Sequence, residues 1–286
     1  RRAGQNVFMT DEQMRVLTED LGFDADAINQ GQEGLYSAIS QNDLLEDGVT
    51  LSATGVIDIT ADAGLNIDSG IAAGEGLILR SEGGLNMGDY GHFDSDNLLG
   101  LQLGGDFTND MSLESDTLWF DIGGDFTNQG ELTGNNVLSI NADDDLINQS
   151  LLSGGNVVLN AGGDIVNRTE FTQHTREYSD GGSRTYTLVG DSPEIISGES
   201  LSMNAGNNLD LQGSQLGAAG DISLHAGNDV LLNAVEKVNG HEKYFKGGYD
   251  IELDRTYDVV SLEAGGNLSV IAGNNLESEG AQFGAG

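Results

Sequence analysis

Carboxylates are the most abundant reactive groups in this sequence, and paired carboxylates are the usual acid and base of glycoside hydrolysis. The chain has 47 Asp and Glu residues among 286, so no single pair of acids singles out a catalytic site. Cysteine is absent, which excludes thiolate nucleophiles, disulfides and Cys-based zinc sites. The four histidines are scattered without metal-ligand spacing: His92, His174, His225 and His241. No Gly-x-Ser-x-Gly nucleophile turn stands out, so we expect a non-catalytic chain.

Calcium is the cofactor that the Asp and Gly content suggests, but the known calcium motifs are missing. A β-roll repeats Gly-Gly-x-Gly-x-Asp about every nine residues, whereas Asp follows Gly-Gly directly in this sequence, as at 104–106. No EF-hand loop is present either. We interpret the densest acidic cluster, at 143–145, as a solvated turn, with weak cation binding as the alternative. No cofactor is therefore expected.

Basic and aromatic residues gather in two inserts, at about 167–197 and 234–260. Seven of the 11 Lys and Arg residues and five of the seven Tyr residues lie there. Tyr and Arg are enriched at interface hot spots, so we predict a partner-binding site in the inserts. The alternative is that the two arms pair with each other or fold onto the acidic remainder of the chain. The candidate partner-binding residues are Arg176, Tyr178, Arg184, Tyr186, Lys243, Tyr244, Lys246, Tyr249, Arg255 and Tyr257.

A repeated sequence phrase predicts the secondary structure that positions these residues. Gly-Gly-Asp-Phe-Thr-Asn at 104–109 returns at 123–128, and related phrases stand at 143–148 and 162–167. The steps between the first residues of these phrases are 19, 20 and 19. A period near twenty, with short strands and glycine turns, is typical of a solenoid whose insertions project from one face.

A second stripe of the form apolar-x-apolar-x-small precedes each phrase, as at 118–122 and 138–142. Its period of two predicts strands with one buried face. Because little chain is left for helical crossovers, we predict an all-β fold: a right-handed parallel β-helix of about 20 residues per coil, with two hairpin inserts. Like positions of successive coils should then stack. The expected inner ladder is Phe107, Phe126, Leu146 and Ile165, and the expected amide ladder is Asn109, Asn128, Asn148 and Asn167.

The first 48 residues lack the repeat. Thr10-Asp11-Glu12-Gln13 matches a helix capping box and precedes apolar residues at helical spacing. We therefore predict a small N-terminal helical element at 1–48, a cap or linker, followed by the repeat β-helix at 49–286. The alternative is that residues 1–48 belong to an upstream domain. The chain starts without Met and stops within a repeat, so we expect it to be a segment of a longer protein.

The formal net charge of −36 argues against binding of the repeat region to nucleic acids and to anionic membrane surfaces. No Lys or Arg lies between Arg80 and Arg168, so binding to nucleic-acid phosphates is not expected. No apolar run approaches the length that spans a bilayer. A chain without cysteine also fits export across a membrane in an unfolded state.

Several phrases resemble the haemagglutinin repeats of filamentous haemagglutinin-type exoproteins, a family that includes the large effectors of contact-dependent growth inhibition. These phrases are Ser-Met-Asn-Ala-Gly-Asn-Asn-Leu at 202–209, Ser-Leu-His-Ala-Gly-Asn-Asp-Val at 223–230 and Gly-Asp-Ile-Val-Asn-Arg-Thr-Glu at 163–170. Residues 13–23 are similar to a helical stretch that precedes a repeat block in the family. The Asn/Asp-Pro-Asp that usually follows is Asp-Ala-Asp here, at 24–26.

The resemblance implies a haemagglutinin-repeat β-helix exported by two-partner secretion. The partner would be an outer-membrane transporter that reads an N-terminal domain missing from this chain, and the product would be secreted or displayed at the surface of a Gram-negative cell. We therefore predict a structural and interaction segment of an adhesin or growth-inhibition effector stalk. It would supply reach, adhesion to a receptor or glycan on a target cell, or toxin delivery. The alternative is a carbohydrate-active β-helix enzyme, either a polysaccharide lyase or a hydrolase.

Overall fold

The computed structural model describes residues 50–88, 91–179, 182–245 and 248–286, and it places 29 β-strands and no helix among them. The helical element predicted at 1–48 lies outside the described residues. The prediction of an all-β chain is confirmed for the described part, which forms a parallel β-solenoid of about 11 turns with ~21 residues per turn.

Two parallel sheets run along most of the solenoid. The main sheet has 13 strands: β2 (Val56–Ala61), β5 (Gly76–Ser81), β8 (Leu98–Leu103), β10 (Leu113–Ile122), β12 (Leu132–Ala142), β14 (Leu151–Ala161), β18 (Glu194–Ser197), β19 (Leu201–Ala205), β21 (Gln215–Ala218), β22 (Ile222–Ala226), β26 (Val260–Ala264), β27 (Leu268–Ala272) and β29 (Ala281–Ala285). The second sheet has seven strands: β9 (Phe107–Asn109), β11 (Phe126–Asn128), β13 (Leu146–Asn148), β15 (Ile165–Arg168), β20 (Leu209–Gln212), β23 (Val230–Asn233) and β28 (Leu276–Glu279).

Three smaller sheets complete the described part of the chain. The first coils contribute a three-stranded sheet of β1 (Thr50–Ala53), β4 (Gly70–Ala73) and β7 (His92–Ser95), and a pair of β3 (Leu65–Ile67) and β6 (Leu85–Met87). The fifth sheet, which we call the insert sheet, consists of β16 (Phe171–Glu177), β17 (Ser183–Val189), β24 (Val235–Phe245) and β25 (Gly248–Asp258).

Stacking of like residues from successive coils builds the core, as the repeat predicts. Phe126 lies in register with Phe107 on one side and with Leu146 on the other, and Ile165 follows Leu146. The side chains of these four residues are at most 3% exposed. Phe120 of the main sheet packs against the ladder, with its ring centroid 5.8 Å from that of Phe126. Burial of each such side chain contributes about 1.5–3 kcal/mol.

The predicted amide ladder is also present, and it is buried. Asn109 donates its side-chain N–H to Asn128 at 2.8 Å, Asn128 donates to Asn148 at 2.9 Å, and Asn148 donates to Asn167 at 2.8 Å. The ladder stops where Leu211 takes the next position in register. The amide nitrogen of Asn167 is accordingly buried without a hydrogen-bond partner among the described residues.

The aspartates of the repeated phrase have a structural role that the sequence did not reveal. Asp106 accepts a hydrogen bond from the backbone N–H of Asp125 in the next coil, at 2.9 Å. Asp125 accepts from the N–H of Asp145 at 3.0 Å, and Asp145 accepts from the N–H of Asp164 at 2.7 Å. Each carboxylate satisfies a turn amide that a sheet ladder would leave unpaired. Part of the acidity of the chain is therefore required by its turns.

Two glycines close corners of the solenoid where no insert is present. Gly213 joins β20 to β21 with a φ of 57°, and Gly280 joins β28 to β29 with a φ of 118°. At the equivalent corners after β15 and after β23, the chain leaves the solenoid and forms the two hairpins. The inserts therefore replace a tight turn and leave the stacking of the strands on either side intact.

Candidate interaction surface

The two inserts form one antiparallel sheet. Strands β16 and β17 pair as one hairpin, and β24 and β25 pair as the other. Strand β17 then pairs with β24 in the register Arg184 to His241 and Tyr186 to Asn239, which gives the strand order β16-β17-β24-β25. Of the alternatives left open by the sequence, the structure therefore has the arms pairing with each other. The Thr and aromatic content of these strands favours extended structure.

Strand alternation sorts the side chains of the insert sheet into two faces, because directly opposite residues in a sheet share a face. One face carries Arg176, Arg184 and His241 in a single row across three strands. We call it the cationic face. The opposite face, which we call the apolar face, carries the alternate residues. Its exposed apolar members are Phe171, Tyr249, Ile251, Leu253 and Tyr257.

The cationic face holds two guanidinium groups opposite each other. Arg176 and Arg184 are cross-strand partners, an arrangement that costs free energy because like charges repel. Each guanidinium lies over a tyrosine ring. The guanidinium carbon of Arg176 is 5.5 Å from the ring centroid of Tyr178, and that of Arg184 is 5.9 Å from the ring centroid of Tyr186. Within the described part of the chain, neither arginine has a carboxylate partner. Their N–H groups therefore remain available to an external anion.

Two further aromatic and basic groups extend the cationic face. His174 stacks on Tyr186 with ring centroids 5.3 Å apart. Lys243 is exposed and lies on the same face, since it shares a strand with His241 at a spacing of two. Lys237 also belongs to this face, but its ammonium group is paired with Asp258.

The apolar face presents large side chains to solvent. Tyr249 is 69% exposed, Tyr257 is 55% exposed, and Ile251 and Leu253 are 49% and 48% exposed. Arg255 lies between them and is paired with Glu236 at 3.0 Å, and Glu236 also accepts the Tyr257 hydroxyl at 3.1 Å. Exposed apolar patches of this kind mark interaction sites on soluble proteins.

The structure brings together most, but not all, of the predicted site residues. Arg176, Arg184, Tyr186 and Lys243 lie on the cationic face, and Tyr178 follows β16 with its ring against the Arg176 guanidinium. Tyr249, Arg255 and Tyr257 lie on the apolar face. The side chain of Tyr244 and the whole of Lys246 lie outside the described residues.

Sequence reasoning missed the exposed apolar residues Phe171, Leu188, Ile251 and Leu253. The strict alternation of apolar and acidic residues at 249–254 could have identified two of them.

Elsewhere, a groove of about 360 Å³ crosses the outer face of the first coils and is lined by Asp62, Arg80, Glu82, Gln102 and Asp121 among others. The acidic residues of this groove are candidates for the acid and base of the carbohydrate-active enzyme that is the alternative prediction. Among the described residues, no cluster of His, Asp and Glu is arranged to hold a metal ion. In the same part of the chain, no helix is long and apolar enough to cross a membrane.

One carboxyl group on the second sheet has a perturbed pKa. Burial raises the pKa of Asp210 above its ordinary value of 3.8, and the neighbouring Asp164 raises it further. The Arg168 guanidinium, 3.4 Å away, acts in the opposite direction. This group is part of the solenoid wall, so the shift reflects packing between coils.

Comparison with known proteins finds relatives of part of this chain. A tRNA nuclease CdiA from Yersinia mollaretii is 32% identical over 96 residues, which are 33% of this chain. A tRNA nuclease CdiA from Escherichia coli is 27% identical over 100 residues, or 35% of the chain. The resemblance is to the CdiA proteins of contact-dependent growth inhibition. The matched stretch covers 3% of the length of each of these relatives.

No family model matches the chain. No solved structure matches it either. The CdiA relatives therefore support the resemblance that the repeat phrases indicated, over about a third of the chain.

Proposed function

We propose that this chain is a non-catalytic structural and interaction segment of a large secreted exoprotein of the contact-dependent growth inhibition type. The solenoid supplies reach, and the insert sheet supplies contact with the surface of a target cell. The haemagglutinin-type repeats and the CdiA relatives support the exoprotein context. In this proposal, an outer-membrane transporter of two-partner secretion exports the whole protein, which is then displayed or released at the surface of a Gram-negative cell.

The observation that carries the contact role is the pair of opposed arginines on the cationic face. Arg176 and Arg184 repel each other, yet the chain has 47 carboxylates from which a partner could have been drawn. Both side chains are exposed, and each guanidinium is held over a tyrosine ring. Stacked guanidinium groups keep their N–H edges free for bidentate binding of carboxylate or phosphate. The receptor feature that fits the arginine-bearing part of this face, on β16 and β17, is an anionic group, such as a phosphorylated or carboxylated glycan.

We place the nuclease activity that names the relatives outside this segment. Contact with tRNA phosphates needs clustered Lys and Arg, whereas this chain has a net charge of −36 and no basic residue between Arg80 and Arg168. The segment would then carry a toxin domain located elsewhere in the parent protein.

The test is binding of the purified 286-residue chain to target bacteria. The double variant Arg176→Glu, Arg184→Glu should lower cell binding by at least about tenfold, because two charge-assisted contacts are lost and replaced by repulsion. The variant Arg176→Lys, Arg184→Lys keeps the charge but not the bidentate geometry. Its cell binding should lie between that of the parent chain and that of the double glutamate variant. Arg168→Ala is the control, since that arginine lies on the solenoid, outside the insert sheet, and is already paired with Asp210.

Unchanged cell binding by the double glutamate variant would defeat the contact role of the cationic face. Incubation of the same chain with a panel of polysaccharides provides an independent check. Turnover of any of them, abolished by Asp121→Asn in the groove, would favour the carbohydrate-active enzyme instead.

A further inference from the structure

The outermost strand of the insert sheet, β25, has a free edge. It is 11 residues long and pairs with β24 on one side only, so it is an edge strand among the described strands. In an antiparallel sheet, alternate residues of an edge strand direct their backbone N–H and C=O groups away from the existing neighbour. Such a row of unpaired groups is a template for another strand.

Natural edge strands are protected against this kind of pairing, and of the usual protections β25 has only charged side chains. Its register with β24 runs unbroken from Val235 opposite Asp258 to Phe245 opposite Gly248, so no β-bulge twists the edge away. The strand contains no proline, and it is not short. Ten of its residues are exposed and only Asp258 is half-buried, so no other described part of the chain covers the edge.

The side chains of β25 separate by chemistry between the two faces of the strand. Tyr249, Ile251 and Leu253 lie on the apolar face, together with Arg255 and Tyr257. On β25, the face that carries Arg176 and Arg184 further along the sheet holds a row of four carboxylates, which we call the acidic row: Asp250, Glu252, Asp254 and Asp258. Strand β24 faces this row with Lys237, which is bound to Asp258, and with Lys243, which is the register partner of Asp250. It also presents His241, whose ring nitrogens are 3.6 Å from Asp250 and 3.8 Å from Glu252. Asp254 lies opposite Asn239. The acidic row therefore keeps an excess of negative charge.

Charge decides which strand fits this edge. A second copy of β25 would bring the acidic row against itself, and like charges in opposite positions destabilise strand pairing. A strand with alternating basic and apolar residues would place its cations beside the acidic row and its apolar side chains beside Ile251 and Leu253. We propose that the β25 edge binds such a strand of a protein partner by β-strand addition.

This inference deepens the proposed function, because it rests on the insert sheet being the contact surface. The cationic face would hold an anionic group and the β25 edge would hold a polypeptide strand of the same target surface. The opposite edge of the sheet, β16, is shorter at seven residues and carries His174 and Arg176. It therefore does not offer a basic strand a favourable edge.

The test uses a soluble peptide of alternating Lys and Val, matched to the 11-residue length of β25, as a probe of the edge. We expect saturable binding to the full chain by fluorescence polarisation, with the backbone amides of 249–257 gaining protection from hydrogen exchange. A peptide of the same composition with the lysines in one block should bind at least about tenfold more weakly, since three or four cross-strand charge pairs are lost. N-methylation of alternate residues should also abolish binding, because it removes the backbone donors.

A charge exchange makes the test specific to β25. The variant Glu252→Lys, Asp254→Lys should lose the Lys-Val peptide and gain binding to a Glu-Val peptide of the same length. The control variant Glu263→Lys, Glu277→Lys makes the same change in net charge on exposed positions of the solenoid, and it should leave the preference unchanged. Equal binding of the alternating and block peptides, or equal effects of the two variants, would overturn the proposal and leave only non-specific attraction.

The outcomes separate this inference from the proposed function. Loss of target-cell binding in the arginine variant, together with no binding of the Lys-Val peptide, would retain the contact role and remove the strand-addition mode. Binding of the Lys-Val peptide without any binding of the chain to target cells would support strand addition at the β25 edge and contradict the proposed contact with target cells.

Discussion

The solenoid and the insert sheet are built from strands with the same alternation of apolar and polar residues, but they use that alternation in opposite ways. In the solenoid, Phe126, Leu146 and Ile165 are fully buried against the coils above and below. In the insert sheet, Ile251 and Leu253 occupy equivalent alternate positions and are about half exposed. The solenoid buries its apolar side chains in the core, whereas the insert sheet leaves them exposed, and we propose that a partner binds there. Burial thus separates the scaffold from the contact surface more clearly than secondary structure does.

The largest expected difference between the two regions is in the cost of removing an apolar side chain. Phe126→Ala should lower the free energy of unfolding by about 3–5 kcal/mol, because it leaves a cavity between Phe107 and Phe120. Leu253→Ala should change the free energy of unfolding by less than about 0.5 kcal/mol, since that side chain is already about half exposed and lies outside the core. Denaturant unfolding followed by circular dichroism measures both. Similar costs for the two variants would show that the insert sheet is part of the structural core.

The buried amide ladder gives the next comparison. Asn128→Ala removes the acceptor of one Asn109 N–H and the donor to Asn148, so it should cost about 2–4 kcal/mol: two buried hydrogen bonds are lost, and one Asn109 N–H is left unpaired. Asn160→Ala breaks a partly exposed ladder to Asn141 and Asn204 on the outer face and should cost less than about 1 kcal/mol. The same denaturation experiment applies. An Asn160 variant as unstable as the Asn128 variant would contradict a ladder stabilised by burial.

The third comparison is between a glycine at a tight corner of the solenoid and a glycine within a strand. Gly280→Ala should cost about 1–3 kcal/mol, because φ is 118° and the new Cβ would lie 2.8 Å from the Cβ of Ala234. Gly217→Ala is the control, since its Cβ would meet only the end of Ile196 at 3.5 Å. Thermal unfolding of the two variants compares them directly, and equal midpoints would remove the argument for a strained corner.

The smallest expected effect is a pH dependence within the solenoid wall. Because burial raises the pKa of Asp210, the folded chain retains this proton at pH values where the unfolded chain has lost it. The stability that the group contributes is therefore present below pH 3.8 and is lost as the pH rises through the raised pKa of the folded state. The free energy of unfolding of the parent chain, relative to Asp210→Asn, should fall across that window. Arg168→Gln should enlarge the fall, since it removes the cation that lowers the pKa.

The fold of the repeat region could be predicted from the sequence because each coil repeats the same pattern of apolar and turn residues. The phrase at 104–109 and its successors place Phe107, Phe126 and Leu146 in register with no need for distant information. The role of Asp106 could not be predicted in this way, since a carboxylate at a turn looks solvated until the next coil supplies the N–H that it accepts.

The candidate site was less predictable because it depends on contacts between segments distant in the chain. Composition alone identified the two inserts, but the pairing of Tyr186 with Asn239 joins residues more than 50 positions apart. That pairing determines which residues share a face, and so it separates Arg184 from Arg255. The division between a helical element at 1–48 and the repeat region at 49–286 stays a prediction.

The central claim is that the insert sheet is needed for contact and not for folding. The most direct measurement replaces residues 170–191 and 236–258 with short glycine corners like the one at Gly213, then compares unfolding and target-cell binding with those of the parent chain. We expect the shortened chain to keep a cooperative β-sheet transition and to lose cell binding. Unfolding of the shortened chain, or cell binding equal to that of the parent, would contradict the account.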